Sequence, residues 1–464
     1  MNNNSKIIRV LIVISALFLA LLTYLLYLNL FKSDELRTNS YNRRQWDEER
    51  YVDRGNIYDS NGLLLAESVT DENGTKRVYS QGNIYSHVIG YCSPVYGKSQ
   101  LEMEFDRELL ARDDIGIFAG SKKRGFDLNL TVDNSFQKYV YGQMNGKKGA
   151  AVAMNPQTGE ILAMVSLPDF QPESQNLEAM WTDIVEDQDS PLLNRATQGL
   201  YPPGSTYKIV TAAAAYENGM KGKSFEDVGY FQADKLKIEN YNNKVYGSIK
   251  LEDAFSVSSN QVFATIGYQL GTEKMQNISE RFGINSKVRF DLPTETSRIE
   301  YGKMVSADCA MIGIGQGQLR VTPLQMAVIC STVANGGRTI EPYVVASVTK
   351  DDVIISQHKP RAANSVISAE CAEYLEEMMI KTVESGTGTR AKISGVTVAG
   401  KTGTAENETD MDHAWFVGYA PAENPQIAVA VILENEGASG GDAAAPVAGR
   451  IMKEYLSRAE SIYE

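Results

Sequence analysis

The chain has 464 residues, which is long enough for two or three domains and a sizeable core. Its net charge of −13 argues against a nucleic-acid partner. Four widely spaced cysteines and three histidines argue against a disulfide framework, a zinc site or a histidine-rich metal site.

The first predicted element is an apolar segment, residues 10–31, without an acidic or basic side chain. At ~1.5 Å per residue it would span about 33 Å, enough to cross a bilayer. Lys6 and Arg9 precede it and favour a cytoplasmic N-terminus, although further basic residues follow it. A cleaved signal peptide would have a shorter apolar core and a small-residue cleavage site. We therefore expect an uncleaved single-pass anchor in residues 1–33 and an extracytoplasmic catalytic domain.

Residues 34–148 are mixed in character and show no cluster of catalytic side chains. Residues 54–66 predict two strands joined by an Asn-Gly turn, residues 101–110 a short helix and residues 127–132 a strand. We expect this region to be a spacer, or pedestal, module.

The pattern changes at Gly149. Residues 150–165 predict a β-hairpin, and apolar runs near the C-terminus predict three more strands. The expected strands are 396–404, 414–420 and 426–433, and the expected helices are 205–218, 251–270, 322–334, 371–383 and 452–458. This order fits an α+β domain over residues 149–464, with an antiparallel sheet that combines the first hairpin with the last strands and is flanked by helices.

One candidate site lies in Tyr201-Pro-Pro-Gly-Ser-Thr-Tyr-Lys208. The prolines and the glycine predict a turn, after which Ser205 begins a helix and Lys208 lies one turn further on the same face. The small and apolar residues that follow predict a helix buried on most sides. A buried lysine tends to be neutral, so Lys208 is a plausible base that activates Ser205 as a nucleophile. Ser-x-x-Lys is a weak pattern by itself, and it recurs at Ser135, Ser347 and Ser356.

Two further motifs follow in order, Ser258-x-Asn260 and Lys401-Thr-Gly403. The three together form the ordered signature of penicillin-binding proteins and serine β-lactamases, with Ser-Ser-Asn in place of Ser-Asp-Asn. Ser258 could pass a proton toward a leaving nitrogen, and Asn260 could hold a substrate amide. Taken alone, these two residues would read as a helix-surface hydroxyl and a helix cap.

Lys401 would place a second positive charge near the site, where it would keep the first lysine neutral and attract an anionic substrate. Alternatively, it is an edge-strand lysine that discourages aggregation. Gly403 would let another backbone approach the strand closely. The hydroxyls of Thr402 and Thr404 could bind a carboxylate, or they are ordinary strand threonines.

The backbone N–H groups of Ser205 and Thr404 could form an oxyanion hole, in which each donor is worth about 2.7–4 kcal/mol. His413 offers an alternative base for a triad with Ser205, but the lysine already supplies one. We expect His413 to be a polar residue at the start of a strand.

The chain resembles the class B penicillin-binding proteins, the monofunctional transpeptidases of bacterial wall synthesis. The segments that carry the resemblance are residues 191–208, 313–327, 399–406, 414–421 and, near the anchor, 54–62. In the last of these, Ser60 replaces the arginine that is usual in the family. The stretch before Gly149 is too short for a glycosyltransferase domain, which fits the monofunctional class.

The resemblance implies that the D-Ala-D-Ala end of a peptidoglycan stem peptide acylates Ser205 and that an amine of a neighbouring strand then forms the cross-link. It also implies inhibition by β-lactams, no metal or organic cofactor, and a membrane glycan polymerase of the shape, elongation, division and sporulation type as partner. The short N-terminal module leaves the partner contacts open. The alternatives are a D,D-carboxypeptidase or β-lactamase-type hydrolase, and a non-enzymatic β-lactam sensor or wall-assembly scaffold.

Overall fold

The structure is a computed structural model, which describes residues 3–32, 52–72, 74–111, 123–144, 146–233, 235–360, 364–407 and 411–461. The helices are α1 Asn3–Phe31, α2 Gln100–Glu104, α3 Asp106–Leu109, α4 Asn134–Met144, α5 Ser174–Glu186, α6 Lys208–Glu217, α7 Leu251–Ser256, α8 Asn260–Arg281, α9 Ser306–Gly313, α10 Pro323–Ala334, α11 Ala369–Glu384 and α12 Ala444–Ser461. The strands are β1 Val52–Asp53, β2 Ile57–Tyr58, β3 Leu64–Asp71, β4 Gly74–Tyr79, β5 Cys92–Ser93, β6 Gly97–Lys98, β7 Lys123–Arg124, β8 Asp127–Leu130, β9 Gly149–Met154, β10 Ile161–Leu167, β11 Ser224–Asp227, β12 Tyr230–Ala233, β13 Leu236–Glu239, β14 Gly247–Lys250, β15 Val345–Lys350, β16 Val353–Gln357, β17 Ala399–Ala405, β18 His413–Ala420 and β19 Ile427–Leu433. Short 3-10 turns lie at Gly82–Tyr85, Gly204–Tyr207, Tyr241–Asn243, Tyr301–Lys303 and Thr389–Ala391.

Helix α1 contains an apolar span, Lys6–Leu28, that is long enough to cross a membrane. This confirms the predicted apolar helix, which begins earlier than expected. Three of the basic residues that follow the apolar segment, Arg37, Arg43 and Arg44, lie outside the described residues.

The largest element around the candidate site is a five-stranded antiparallel sheet in the order β10-β9-β19-β18-β17. As predicted, the hairpin that starts at Gly149 pairs directly with the C-terminal strands, because β9 lies beside β19. Alternate residues of β9 point into two different apolar clusters, Val152 into one and Ala153 into the other. Both faces of the sheet are therefore buried, which explains why its strands are nearly continuous apolar runs.

Helices cover both faces of this sheet. Helices α4 and α12 lie in the cluster on one face, and α6 and α10 lie in the cluster on the other. Helix α11 packs beside the edge strand β17. The arrangement confirms an α+β fold with an antiparallel sheet flanked by helices.

A second sheet has six strands in the order β16-β15-β8-β2-β3-β4. Its strand β8 precedes Gly149, whereas its neighbour β15 follows it by almost two hundred residues. A side chain also bridges the two regions: Gln137 Nε2 donates to Met164 O at 2.7 Å, and Gln137 Oε1 accepts from Met164 N at 2.9 Å. The region before Gly149 therefore shares a sheet with the region after it.

Three predicted helices differ from the structure. Residues 251–270 do not form one helix, because α7 ends at Ser256 and α8 begins at Asn260. Residues 101–110 form two short helices separated at Phe105. The last helix, α12, is longer than the segment 452–458 that was expected.

Candidate active site

Ser205 lies in the 3-10 turn Gly204–Tyr207, immediately before α6. It was expected to begin the helix, but the 3-10 turn comes first and α6 starts at Lys208, and the residue before Lys208 makes no side-chain cap bond. Two contacts fix the turn: Trp415 Nε1 donates to Pro202 O at 3.1 Å, and Gly204 N donates to the carbonyl of Gly315 at 2.9 Å. Ser205 is half-buried, and in the described part of the chain its hydroxyl has no hydrogen-bond partner.

The serine turn packs directly on the edge strand β17. A Cβ atom added to Gly403 would lie 2.9 Å from Pro203 O, and one added to Gly204 would lie 2.5 Å from Thr404 O. Gly204 also has a φ of +52°, which a residue with a Cβ rarely adopts. The absence of side chains at these two positions therefore allows the turn and the strand to meet backbone to backbone.

Ser258 lies in the break between α7 and α8, in a left-handed conformation with a φ of +62°. Ser259 N donates to Ala254 O at 2.8 Å, and Ser258 N donates to Phe255 O at 3.1 Å. These two bonds form a Schellman motif, whose left-handed position is usually occupied by glycine. A serine at this position is strained in its backbone, but it places a hydroxyl group there that glycine would lack.

Both lysines of the candidate site meet at this serine. Lys208 Nζ lies 2.8 Å from Ser258 O, 3.1 Å from Ser258 Oγ and 2.8 Å from Asn260 Oδ1. Lys401 Nζ lies 2.9 Å from Ser258 Oγ and 3.1 Å from Thr402 O. The three sequence motifs, which are far apart along the chain, are therefore in contact through one hydroxyl group.

Both ammonium groups are fully buried. Burial, followed by the nearby charge of Lys401, lowers the pKa of Lys208 well below its usual value. Burial also lowers the pKa of Lys401 to about 7. Aromatic rings form dry walls, because Phe263 lies 5.5 Å from Lys208 Nζ and Phe255 lies 5.5 Å from Lys401 Nζ. Although β17 is an edge strand, Lys401 therefore points inward and does not serve as a solvated edge charge.

The two threonines of β17 differ in their surroundings. Thr402 is buried, and its Oγ1 lies 2.6 Å from Thr387 Oγ1. Thr404 is partly exposed beside the serine turn, and its Oγ1 accepts a hydrogen bond from Gly440 N at 3.2 Å. Thr404 is therefore the more accessible of the two for a ligand.

His413 does not join the serine. It is the first residue of β18, its Nδ1 accepts from Asn435 N at 3.1 Å, and its ring packs edge-on against Tyr201. Burial lowers its pKa. Within the described residues it makes no hydrogen bond to Ser205, so the triad alternative has no geometric support.

Several residues around the site were not singled out by sequence reasoning. Gly315 lies under the serine turn, Thr387 touches Thr402, and Asp227 and Asn240 hold the segment that carries Ser258. Only Gly315 lies in a stretch that sequence reasoning had noted, and the others come from loops and a hairpin without a recognisable local pattern. Across the described residues, no group of histidine, cysteine, aspartate and glutamate side chains could hold a metal ion.

A serine turn packed on the edge of an antiparallel sheet, with two desolvated lysines that meet at a second serine, is the arrangement expected of a serine acyl-transferase. Residues 149–453 match the penicillin binding protein transpeptidase domain, and residues 54–124 match the penicillin binding protein A dimerisation domain. The chain belongs to the penicillin-binding protein transpeptidase family.

Its relatives are similar over most of their length. The peptidoglycan D,D-transpeptidase PbpA of Mycolicibacterium smegmatis is 33% identical over 96% of this chain and 97% of that protein. The peptidoglycan D,D-transpeptidase MrdA of Acinetobacter baumannii is 30% identical over 90% of this chain and 72% of that protein. The ceftriaxone acyl-enzyme of penicillin-binding protein A from M. tuberculosis superimposes with a TM-score of 0.83 at 32% identity, covering 88% of this chain and 99% of that one. These matches confirm the resemblance to class B penicillin-binding proteins.

Proposed function

We propose that Ser205 is the nucleophile of the peptidoglycan D,D-transpeptidase reaction that this chain catalyses. The observation that carries the proposal is the meeting of Lys208 and Lys401 at Ser258 Oγ, together with the packing of the turn that holds Ser205 on β17, the strand of Lys401. A neutral and a charged amine that share one hydroxyl group can move a proton without exchanging it with bulk water.

In the acylation half-reaction, Ser205 Oγ attacks the carbonyl carbon between the two D-alanines of a stem peptide. Its proton moves to Lys208 Nζ, whose lowered pKa favours the neutral form that can accept it. The bond to the terminal D-alanine nitrogen then breaks, and that nitrogen receives a proton from Lys208 through Ser258. D-Alanine leaves, and the peptide remains as an ester on Ser205.

In the transfer half-reaction, the amine of a second stem peptide attacks the ester carbonyl. The amine loses a proton to the lysine–serine pair, the ester bond breaks, and Ser205 Oγ takes a proton back. The new amide bond is the cross-link, and the enzyme returns to its starting state. Protons and bonds balance over the two steps without a metal or an organic cofactor.

The surrounding groups supply binding and electrostatic stabilisation. We assign the oxyanion hole to the backbone N–H groups of Ser205 and Thr404, a role supported by the close approach of the turn to β17. Asn260 would hold the substrate amide, and the hydroxyls of Thr402 and Thr404 the substrate carboxylate. The charge of Lys401 would raise the local concentration of an anionic substrate.

A β-lactam mimics the reacting amide, and its ring opening would leave an acyl group on Ser205. The acyl-enzyme complexes of penicillin-binding protein A from M. tuberculosis with ceftriaxone and with penicillin G support this step. After ring opening the lactam nitrogen stays attached to the acyl group and does not depart as D-alanine does. Such an adduct would therefore remain in the site.

The arrangement in the cell is part of the same proposal. Helix α1 would anchor the chain with its N-terminus in the cytoplasm, residues 34–148 would form the pedestal, and residues 149–464 the extracytoplasmic transpeptidase domain. The partner would be a membrane glycan polymerase of the shape, elongation, division and sporulation type, because cross-linking needs newly made glycan strands.

The test of the nucleophile is labelling by a fluorescent penicillin. Ser205→Ala should abolish covalent labelling while the melting temperature stays near that of the wild type. Ser356→Ala is the matched control, because Ser356 also begins a Ser-x-x-Lys pattern but lies on the exposed strand β16. Labelling that survives in Ser205→Ala would disprove the assignment.

The test of transfer against hydrolysis is mass spectrometry of the products from a lipid-linked pentapeptide polymer. Dimeric muropeptides are the expected product. Release of D-alanine without any dimer would identify a carboxypeptidase, and the absence of both would favour a scaffold.

A further inference from the structure

Asp227 is a buried carboxylate outside the three catalytic motifs, with an exposed fraction of 1%. Its oxygens accept hydrogen bonds from Gly229 N at 2.8 Å, from Asn240 Nδ2 at 2.9 and 3.0 Å, and from Ser259 Oγ at 2.5 Å. In the described part of the chain, no lysine or arginine forms an ion pair with it. A desolvated carboxylate is costly unless donors surround it, so its three donor groups are held in a defined geometry.

One of these donors belongs to the segment that carries the catalytic groups. Ser259 lies between Ser258 and Asn260, and its Oγ also accepts from Val262 N at 3.1 Å as the cap of α8. A single hydroxyl group therefore links the start of that helix to Asp227.

A second link runs through Asn240. Its Oδ1 accepts from Gln261 N at 2.9 Å, while its Nδ2 donates to Asp227. The neighbouring Glu239 O accepts from Asn260 Nδ2 at 3.0 Å. This last bond orients the amide of Asn260 so that its Oδ1 faces Lys208 Nζ at 2.8 Å.

The segment needs such an anchor because Ser258 is strained. A left-handed conformation is unfavourable for a residue with a Cβ. It persists where the surrounding structure over-determines it. The contacts on Ser259, Asn260 and Gln261 lie directly after the strained residue and restrain the chain there.

From this geometry we infer that Asp227 is a positioning residue, which acts through Ser259 and Asn240 to hold Ser258 and Asn260 where the two lysines meet. It does not touch the reacting atoms. The inference rests on the proposed function, because it assigns Asp227 to the acylation of Ser205.

Hydrogen-bond chemistry sets the design of the test. Gly229 N and Asn240 Nδ2 can only donate, whereas the Ser259 hydroxyl can also accept. Asp227→Asn therefore replaces one acceptor oxygen with an N–H group, which breaks a bond from Asn240 Nδ2 or reverses the bond with Ser259 Oγ. The double variant Asp227→Asn/Asn240→Asp reverses the pair, although it removes the bond that Asn240 Nδ2 donates to Lys244 O at 2.8 Å. In it, residue 240 accepts from residue 227, and Ser259 Oγ can donate to residue 240, whose Oδ1 now lies 3.4 Å away.

The experiment measures acylation of the full-length protein by a fluorescent penicillin, with the encounter dissociation constant and the acylation rate constant determined separately. Asp227→Asn should lower the acylation rate constant about 10- to 100-fold, the effect of misplacing a catalytic group by an ångström or less. The encounter dissociation constant should change little, and the double variant should recover part of the rate.

Asp291→Asn is the control for a purely structural effect. Asp291 also accepts two backbone hydrogen bonds, from Val344 N and Val345 N at 2.8 and 2.9 Å, but it holds no part of the candidate site. It should leave the acylation rate constant of the folded protein unchanged, whatever its effect on the melting temperature. Equal rate losses in Asp227→Asn and Asp291→Asn would overturn the positioning role.

A second pair keeps the test decisive where Asp227→Asn does not fold. Ser259→Ala removes one donor to Asp227 and should slow acylation, whereas Ser259→Thr keeps the hydroxyl and should restore it. A Ser259→Ala variant that acylates at the wild-type rate would overturn the inference. Failure of the wild type itself to acylate at Ser205 would instead overturn the proposed function.

Discussion

At the scale of single residues, the site depends on two lysines that need opposite protonation states in the same dry space. Lys208 must be neutral to accept a proton, and Lys401 must be charged to attract an anion. Burial favours the neutral form of both, and the charge of Lys401 lowers the pKa of Lys208 further. The site is therefore competent only in the pH range where Lys208 has lost its proton and Lys401 has not.

The first prediction is a bell-shaped pH dependence of the second-order rate of acylation. As the pH falls, Lys208 gains a proton and ceases to be a base. As the pH rises through about 7, Lys401 loses its charge and the attraction for the carboxylate of the β-lactam weakens. Rates of labelling by a fluorescent penicillin across this range measure both limbs.

Lys401→Arg separates the two limbs, because a guanidinium group stays charged at every accessible pH. Its alkaline limb should move to higher pH even if the larger side chain lowers the rate overall. Lys381→Arg, on the exposed face of α11, is the matched control and should leave the profile unchanged. An alkaline limb that stays in place in Lys401→Arg would contradict the role given to Lys401.

Sequence reasoning could select Ser205, Lys208 and Lys401 as candidates because their motifs occur in a fixed order. It could not find the left-handed conformation of Ser258, because that position is usually a glycine and nothing local marks the exception. Asp227 was missed for a related reason. Its importance comes from donors that are 13 and 32 residues away along the chain.

At the scale of elements, the decisive contact is that between the serine turn and β17. The second prediction is that Gly403→Ala slows acylation at least about tenfold, because the new methyl group would press on Pro203 O and on the methyl group of Thr206, both 2.9 Å away. Such overpacking typically costs about 1–3 kcal/mol of stability. Rates of penicillin labelling and thermal melting measure the two effects.

Gly142→Ala serves as the control. Gly142 lies within α4, and a Cβ atom there would meet no other atom within 4 Å. This change should leave acylation intact and stabilise the helix by about 0.5–1 kcal/mol. A Gly403→Ala variant that acylates at the wild-type rate would show that the close approach does not matter.

The elements were predictable to different degrees. The strands of the central sheet were recognisable from their apolar runs, because both faces of that sheet are buried. The break between α7 and α8 was not predictable, because neither Val257 nor Ser258 is a glycine or a proline. The turn is closed by backbone hydrogen bonds to α7 instead.

At the scale of the whole molecule, the six-stranded sheet ties the regions before and after Gly149 together. Leu128 and Leu130 of β8, and Val132 just after it, are almost completely buried. Each such side chain is worth about 1.5–3 kcal/mol. Together they approach the entire stability of a typical domain, about 5–15 kcal/mol.

The third prediction is that a chain starting at residue 149 does not fold into a penicillin-binding protein. It would lose the partners of β15 and expose apolar side chains such as Val345 and Val348. Circular dichroism melting and penicillin labelling should show no cooperative transition and no labelling. A chain that lacks only residues 1–32 should keep both, and full labelling of the shorter chain would contradict the prediction.

The pairing between β8 and β15 could not be predicted from the sequence. Both strands are short, and nothing in the sequence of either indicates a partner more than two hundred residues away. Local patterns indicated a spacer module without showing which strands it shares, because the sheet depends on contacts that form only in the folded chain.

The most direct measurement of the central claim is peptide mapping of the penicillin G adduct by mass spectrometry. After an acid quench, trypsin cleavage at Arg195 and Lys208 releases the segment 196–208, which contains Ser205. The account predicts that this peptide gains the mass of one penicillin and that fragmentation places the added mass on Ser205. Added mass on any other peptide, or no adduct in a folded protein, would contradict it.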